Sequence, residues 1–234
     1  ALDPVVAPAA FYAANLLFLA AAMAVAAPVL RDGLLGLKKD GRPSSDTMPA
    51  LAACAALLEA VVALLNAQSY QTSSFTILSG IAALGLFMAL LGSRVQLAAV
   101  KGGYDLAMSK PEHRGAYRVK DKDLIRMLSR SLDQKDPWIL LSRPTDWDEK
   151  LVEQSFGERA SERRARKTAY ILLAAGVLAG LVFLLFGGGI SGGAAALTAI
   201  LCMGAPLSST LVAGVASLRL QRTAAAAGAV IPGW

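Results

Sequence analysis

Five long apolar stretches constrain this chain more than anything else in it. They run roughly Ala9–Leu30, Met48–Leu65, Phe75–Gly92, Ala169–Phe186 and Ala194–Leu218, and four of the five hold no formally charged residue. A hydrocarbon layer ~30 Å thick needs ~20 apolar residues in a helix, and each stretch approaches or exceeds that length. The competing arrangement is a soluble bundle with five buried helices. Its helices should carry a polar stripe of period 3.6, and these stretches carry almost none. With 55% hydrophobic and 17% charged residues, the composition also falls outside that of an ordinary soluble domain. The expected fold is therefore all-α and integral to a membrane, with about five transmembrane helices.

Basic residues give the topology. All 23 lysines and arginines fall in three segments: four within Arg31–Arg42, seventeen within Arg94–Lys167, and Arg219 with Arg222. The connectors Asn66–Ser74 and Gly187–Gly193 have none. Basic loops stay on the cytoplasmic side, so the N-terminus is expected outside and the C-terminus inside. The net charge of +6 then reflects the cytoplasmic lipid surface. The lipid bilayer is the expected partner, and nucleic acid is not, although basic residues lie near Trp138 and Trp147. The chain opens at Ala1 with its first span close behind and no basic leader, which suggests a fragment or a processed chain.

Three parts are expected. Residues 1–93 hold helices one to three, with a cytoplasmic platform at 31–47 where Gly33 and Gly36 permit a bend and Leu34–Lys39 lies along the interface. Ser44-Ser45-Asp46 reads as a helix cap. The polar run Gln68–Thr72 forms the outer turn. Residues 94–167 form a small cytoplasmic α or α+β insert, with helices at Val119–Leu132, Asp146–Phe156 and Glu158–Lys167 and a strand at Trp138–Leu141. Residues 168–234 form an antiparallel hairpin, helices four and five, closed by the Gly187–Gly193 turn. Gly176 and Gly180 make a GxxxG spacing that allows close helix approach.

Two features bear on function. Pro206 falls within the fifth stretch, where proline removes a backbone hydrogen bond and frees carbonyls one turn earlier. Cys202 precedes it and Ser208 and Ser209 follow. Broken helices at membrane depth occur where they line a cavity or a transport path; simple kinks occur too. Glu59 is the only ionisable residue deep in a span, which is a costly position. It is read either as part of a transport path or as a neutral carboxyl bonded to a neighbouring helix. Cys54 and Cys202 form no CxxC pair, and His113 is the sole histidine, so no metal ligand set and no catalytic residue is assigned.

The order of parts resembles the membrane region of heavy-metal-transporting P-type ATPases. Ala27–Leu37 is similar to that family's kinked platform, and Asp46–Leu51 to the start of its next helix. The stretch from Ala205-Pro206-Leu207 through Arg222 to Gly228 and Gly233 resembles its fourth core helix, with Pro206 on the motif proline. The resemblance implies an ion-translocating membrane unit whose path passes Pro206, Cys202, Ser208, Ser209 and Glu59. Ala205 and Leu207 stand where the family carries cysteine ligands, and the insert lacks the family's Thr-Gly-Glu loop, so the resemblance is to a degenerate relative. No cofactor is implied within this chain. ATP and Mg are implied only with intact downstream domains, and further transmembrane and cytoplasmic domains of the same protein are the implied partners. The implied location is a bacterial-type plasma membrane. A pump-derived sensor, scaffold or pseudo-ATPase is the alternative.

Overall fold

A computed structural model of the chain describes residues 7–39, 43–67, 70, 77–109, 114–130, 139–144, 155, 160–204 and 207–231. The chain is mostly helical, with a small two-stranded sheet. The helices are α1 Pro8–Val25, α2 Ala27–Lys39, α3 Thr47–Leu65, α4 Ser79–Met108, α5 Lys122–Leu128, α6 Ala160–Phe183, α7 Gly189–Met203 and α8 Ser209–Ala226; the strands are β1 Arg114–Arg118 and β2 Leu140–Pro144. Four helices are long and apolar enough to cross a membrane: α1, α3, α4 and the stretch Arg164–Phe186 that includes most of α6. Their outer faces carry large apolar side chains in the open, among them Phe18, Phe87, Leu178 and Phe183.

The chain divides into two compact units. The first contains Ala1–Ala99 and Glu158–Leu220; the second contains Val100–Gly157 and Gln221–Gly233. In the first, α3 is the central helix. Of its apolar window 56% is buried, against 28% or less for the other three candidate spans. Alanine explains this: Ala52, Ala53, Ala56, Ala60 and Ala63 are fully enclosed, and a methyl side chain lets a neighbouring backbone come close. Helices α1, α2 and α7 all pack on α3, and α6 packs on α7.

The first stretch does not bend at Gly33 or Gly36, through which α2 runs unbroken. The break falls at Ala26, two residues before Pro28, whose ring and missing N–H interrupt the i→i−4 ladder. Gly33 serves contact instead: a Cβ there would lie 2.6 Å from the Asp46 carbonyl oxygen, and the Thr47 hydroxyl donates to the Gly33 carbonyl at 3.0 Å. Asp46 occupies the N-cap position of α3 without a side-chain cap bond. The Ser44 N–H donates to Thr47 Oγ1 at 2.9 Å, and the Asp46 carboxylate accepts from Thr210 at 3.4 Å.

The third stretch continues past Gly92. Helix α4 has 30 residues, ~45 Å at 1.5 Å per residue. Arg94 and Lys101 do not end it, because a helix leaving hydrocarbon has no reason to stop at the first charge. Gly92 is where α8 crosses: a Cβ on it would sit 2.5 Å from the Leu211 nitrogen, and one on Gly214 would sit 2.7 Å from the Gly92 carbonyl oxygen.

The turn expected at Gly187–Gly193 is mostly helix. Leu184–Gly188 forms a π-helical turn, and α7 begins at Gly189, whose φ of 57° needs glycine. Gly193 then packs against α6, its carbonyl oxygen 3.2 Å from a Cβ placed on Gly180, while Gly176 faces Leu197. The fifth stretch is not one helix. It is divided into α7, which begins upstream of Ala194, and α8, which runs on past Arg219 and Arg222. The described residues between them, Gly204, Leu207 and Ser208, are not helical.

In the second unit β1 and β2 pair antiparallel, Arg114 opposite Pro144 and Arg118 opposite Leu140. The Val119 N–H donates to the Ile139 carbonyl at 3.0 Å and extends the ladder. Helix α5 is shorter than expected at both ends. It starts after Asp121, whose carboxylate accepts from the Asp123 N–H at 2.9 Å, a standard N-cap bond. The expected helix at 146–156, apart from Ser155, lies outside the described residues, as do the outer turn other than Tyr70, His113, Trp138, Trp147 and Pro206.

Candidate functional site

Glu59 stands on α3, 12 residues after its first residue Thr47 and so ~18 Å along the helix. It is fully buried. Neither carboxylate oxygen has a hydrogen-bond partner among the described residues, although the Thr198 hydroxyl and the Leu78 backbone lie beside it. Burying a carboxyl without partners is expensive, so a residue held this way needs a reason other than stability.

Helix α7 supplies most of its polar surroundings. It runs antiparallel along α3, so that Thr198 Oγ1 reaches the Ala55 carbonyl at 3.1 Å and Cys202 Sγ reaches the Ala52 carbonyl at 3.9 Å. Ser191, Thr198 and Cys202 sit seven and four residues apart and share one buried face of α7. Tyr70 and Cys202 are both close enough to Glu59 to feel its charge. The Tyr70 hydroxyl donates to the Ser191 carbonyl at 3.3 Å, and its ring meets Tyr12 of α1 edge-on, centroids 6.0 Å apart. Next to Leu78, Ser79 Oγ donates to Asn15 Oδ1 of α1 at 3.1 Å. Polar side chains from α1, α3, α4, α7 and the residue-70 connector thus lie inside the first unit, most of them bonded to backbone carbonyls.

Of the residues singled out from the sequence, the structure brings Glu59 and Cys202 together. Ser208 and Ser209 belong elsewhere. Ser208 is exposed and Ser209 half-buried, and they adjoin Thr210, which bonds Asp46 just before α3 begins. Successive pairings of Thr198 with Ala55, Cys202 with Ala52 and Thr210 with Asp46 place the Met203–Ser209 interruption level with the first turn of α3. It therefore lies well below Glu59 along that helix. Pro206 itself is outside the described residues.

Sequence reasoning passed over Thr198, Tyr70, Tyr12, Asn15 and Ser79. One signal was available: Ser191, Thr198 and Cys202 at helical spacing in an otherwise aliphatic stretch. Among the described residues no three of His, Cys, Asp and Glu cluster as metal ligands. Compared with family models, curated proteins and solved structures, the chain matches none.

Proposed function

We propose that this chain is the membrane portion of a P-type ATPase-like cation transporter, crossing a bacterial-type plasma membrane five times with its N-terminus outside and its C-terminus in the cytoplasm. The crossings are α1, α3, α4, α6 and the interrupted pair α7–α8. The observation that carries this reading is the interruption itself: α7 ends at Met203 and α8 begins at Ser209, while the polar face of α7 turns toward a buried, partnerless carboxylate on α3. Helix ends of this kind leave carbonyl groups to meet a cation. The order of platform, hairpin, insert and broken hairpin agrees with the pump resemblance. ATP and Mg would act on downstream domains, with further parts of the same protein as partners.

The decisive measurement is ATP hydrolysis by the full-length gene product in liposomes. Cation-stimulated, vanadate-sensitive turnover that Pro206→Ala reduces at least tenfold is expected; hydrolysis that is absent or indifferent to cations would reject pumping. A second reading, a pump-derived sensor or scaffold, is favoured by Ala205 and Leu207, which offer no ligand atoms on their side chains. An intact Asp-Lys-Thr-Gly-Thr sequence downstream in the gene supports the pump, and a replaced aspartate supports the scaffold.

Sidedness is tested separately. With Cys54 and Cys202 changed to alanine, Asn66→Cys should react with an impermeant maleimide added outside cells, and Lys101→Cys only after permeabilisation. The reverse pattern would invert the topology, and labelling of both from outside would place them on one side.

A further inference from the structure

Among the described residues, the hydroxyl and thiol groups near Glu59 each have another acceptor. The Tyr70 O–H goes to the Ser191 carbonyl at 3.3 Å. Thr198 has one hydrogen and two carbonyls on which to place it, Ala55 at 3.1 Å and Ala194 at 3.0 Å. The Cys202 S–H faces the Ala52 carbonyl at 3.9 Å, and the Ser79 O–H faces Asn15 Oδ1 at 3.1 Å. An ionised carboxylate only accepts hydrogen bonds, and neither Glu59 oxygen receives one from these described donors. A neutral carboxyl carries one O–H and needs an acceptor. No such bond is formed in the structure, but Thr198 Oγ1 lies beside Glu59 and keeps lone pairs whichever carbonyl takes its hydrogen, so a small side-chain shift would supply one.

We propose that Glu59 is a proton-binding site inside the first unit, and that its occupant is a proton and not a metal cation. A hard divalent cation such as calcium takes about 6–8 oxygen ligands, usually with several carboxylates, whereas among the described residues Glu59 has no second carboxylate beside it and its neighbouring hydroxyls are bonded to other acceptors. Soft metals take thiolates or imidazoles, and the single nearby thiol donates to a backbone carbonyl. The titratable groups facing the site are Tyr70 from the connector, with Tyr12 of α1 stacked on it, and Cys202 of α7. No charged side chain from α2, α4 or α6 acts on Glu59.

Release breaks the Glu59 O–H bond, leaves the electron pair on the carboxylate and passes the proton to water. The anion then needs donors, and rotation of the Thr198 or Tyr70 hydroxyl away from its carbonyl supplies one. The site is thus reversible, with hydroxyl rotation accompanying each exchange. A role for this proton as counter-ion to a transported cation rests on the transport reading above; its occupancy does not.

The test is infrared titration of the full chain in liposomes, wild type against Glu59→Gln. A carbonyl-stretching band from a protonated carboxyl should be present at neutral pH in the wild type and absent from the variant. It should give way to carboxylate bands on alkalinisation and should not respond to sodium, potassium or zinc salts at fixed pH. Absence of the band at neutral pH, or its loss when any of these cations is added, overturns the proposal. Should Glu59→Gln fail to fold, Thr198→Val should retain the band at a higher frequency, because the carboxyl loses its acceptor; an unshifted band overturns the assignment of Thr198. Hydrolysis measurements do not enter this result, so either reading can fail alone.

Discussion

Glu59→Met should produce a protein that is more resistant to unfolding than the wild type and inactive in cation-stimulated hydrolysis. Methionine is close in size to glutamate and fills the same space without polar atoms. A buried polar group left without partners costs about 1–3 kcal/mol, and both Glu59 oxygens are in that condition in a fully enclosed position. Removing them should return a gain of that order, read as a higher midpoint in denaturant titrations of the detergent-solubilised chain. On the transport reading proposed above, activity should fall to background because the substituted side chain holds no proton. Glu59→Lys should do the opposite for stability, since a buried ammonium would find no anion among its described neighbours. A destabilised Glu59→Met protein would show that a bond from the protonated carboxyl, such as the one to Thr198, contributes more to the fold than its burial costs. The opposition between stability and activity is a common mark of functional positions.

Gly92→Leu should be the most damaging single change in the membrane unit. A Cβ at this position would come within 2.5 Å of the Leu211 nitrogen and 2.6 Å of the Thr210 carbonyl carbon. These are backbone atoms of α8 and cannot turn aside as a flexible side chain can. Gly214 faces the same crossing from the other helix, so relieving the clash requires α4 and α8 to separate. Overpacking typically costs about 1–3 kcal/mol, occasionally more, and displacement of a whole helix belongs at the upper end. The expected result is little or no monodisperse protein after solubilisation. Gly80→Leu is the matched control, because a Cβ there meets nothing within 4 Å, and its yield should equal the wild type. Equal yields from both variants would show that the α4–α8 crossing is loose.

The apolar helices were legible because length and the lack of a polar stripe are local properties of a sequence. The Asp121 cap is local too, although the helix it opens is shorter than its pattern suggested. What local patterning missed was decided by residues far apart in the chain. Tyr70 and Ser191 are 121 positions apart, and Thr198 and Ala55 are 143 apart; nothing in either neighbourhood announces the pairing. Helix ends failed for another reason. Glycines 33 and 36 looked like bends, but glycine permits a bend without requiring one, and Gly33 is used for close contact. Pro28 does require an interruption, and that is where α1 and α2 part. The fifth stretch is likewise divided, between Met203 and Ser209, and the depth of that break relative to Glu59 depended on how α7 docks along α3. Strand β1 was not anticipated, since Arg114–Arg118 is a polar segment with only Ala116 and Tyr117 to suggest extended structure.

Helix α7 holds 15 residues, ~22 Å of rise, against a hydrocarbon thickness of ~30 Å. Its companion α6 belongs to an apolar stretch of 23 residues. In a bilayer α7 alone is shorter than α6 and completes the crossing only together with α8; wherever α8 moves away, lipid beside α7 must thin or tilt to meet it, at a cost of fractions of a kcal/mol per ångström. Membranes of shorter acyl chains would relieve that deformation, so bilayer thickness itself would bias how far the two arms of the hairpin can slide past each other.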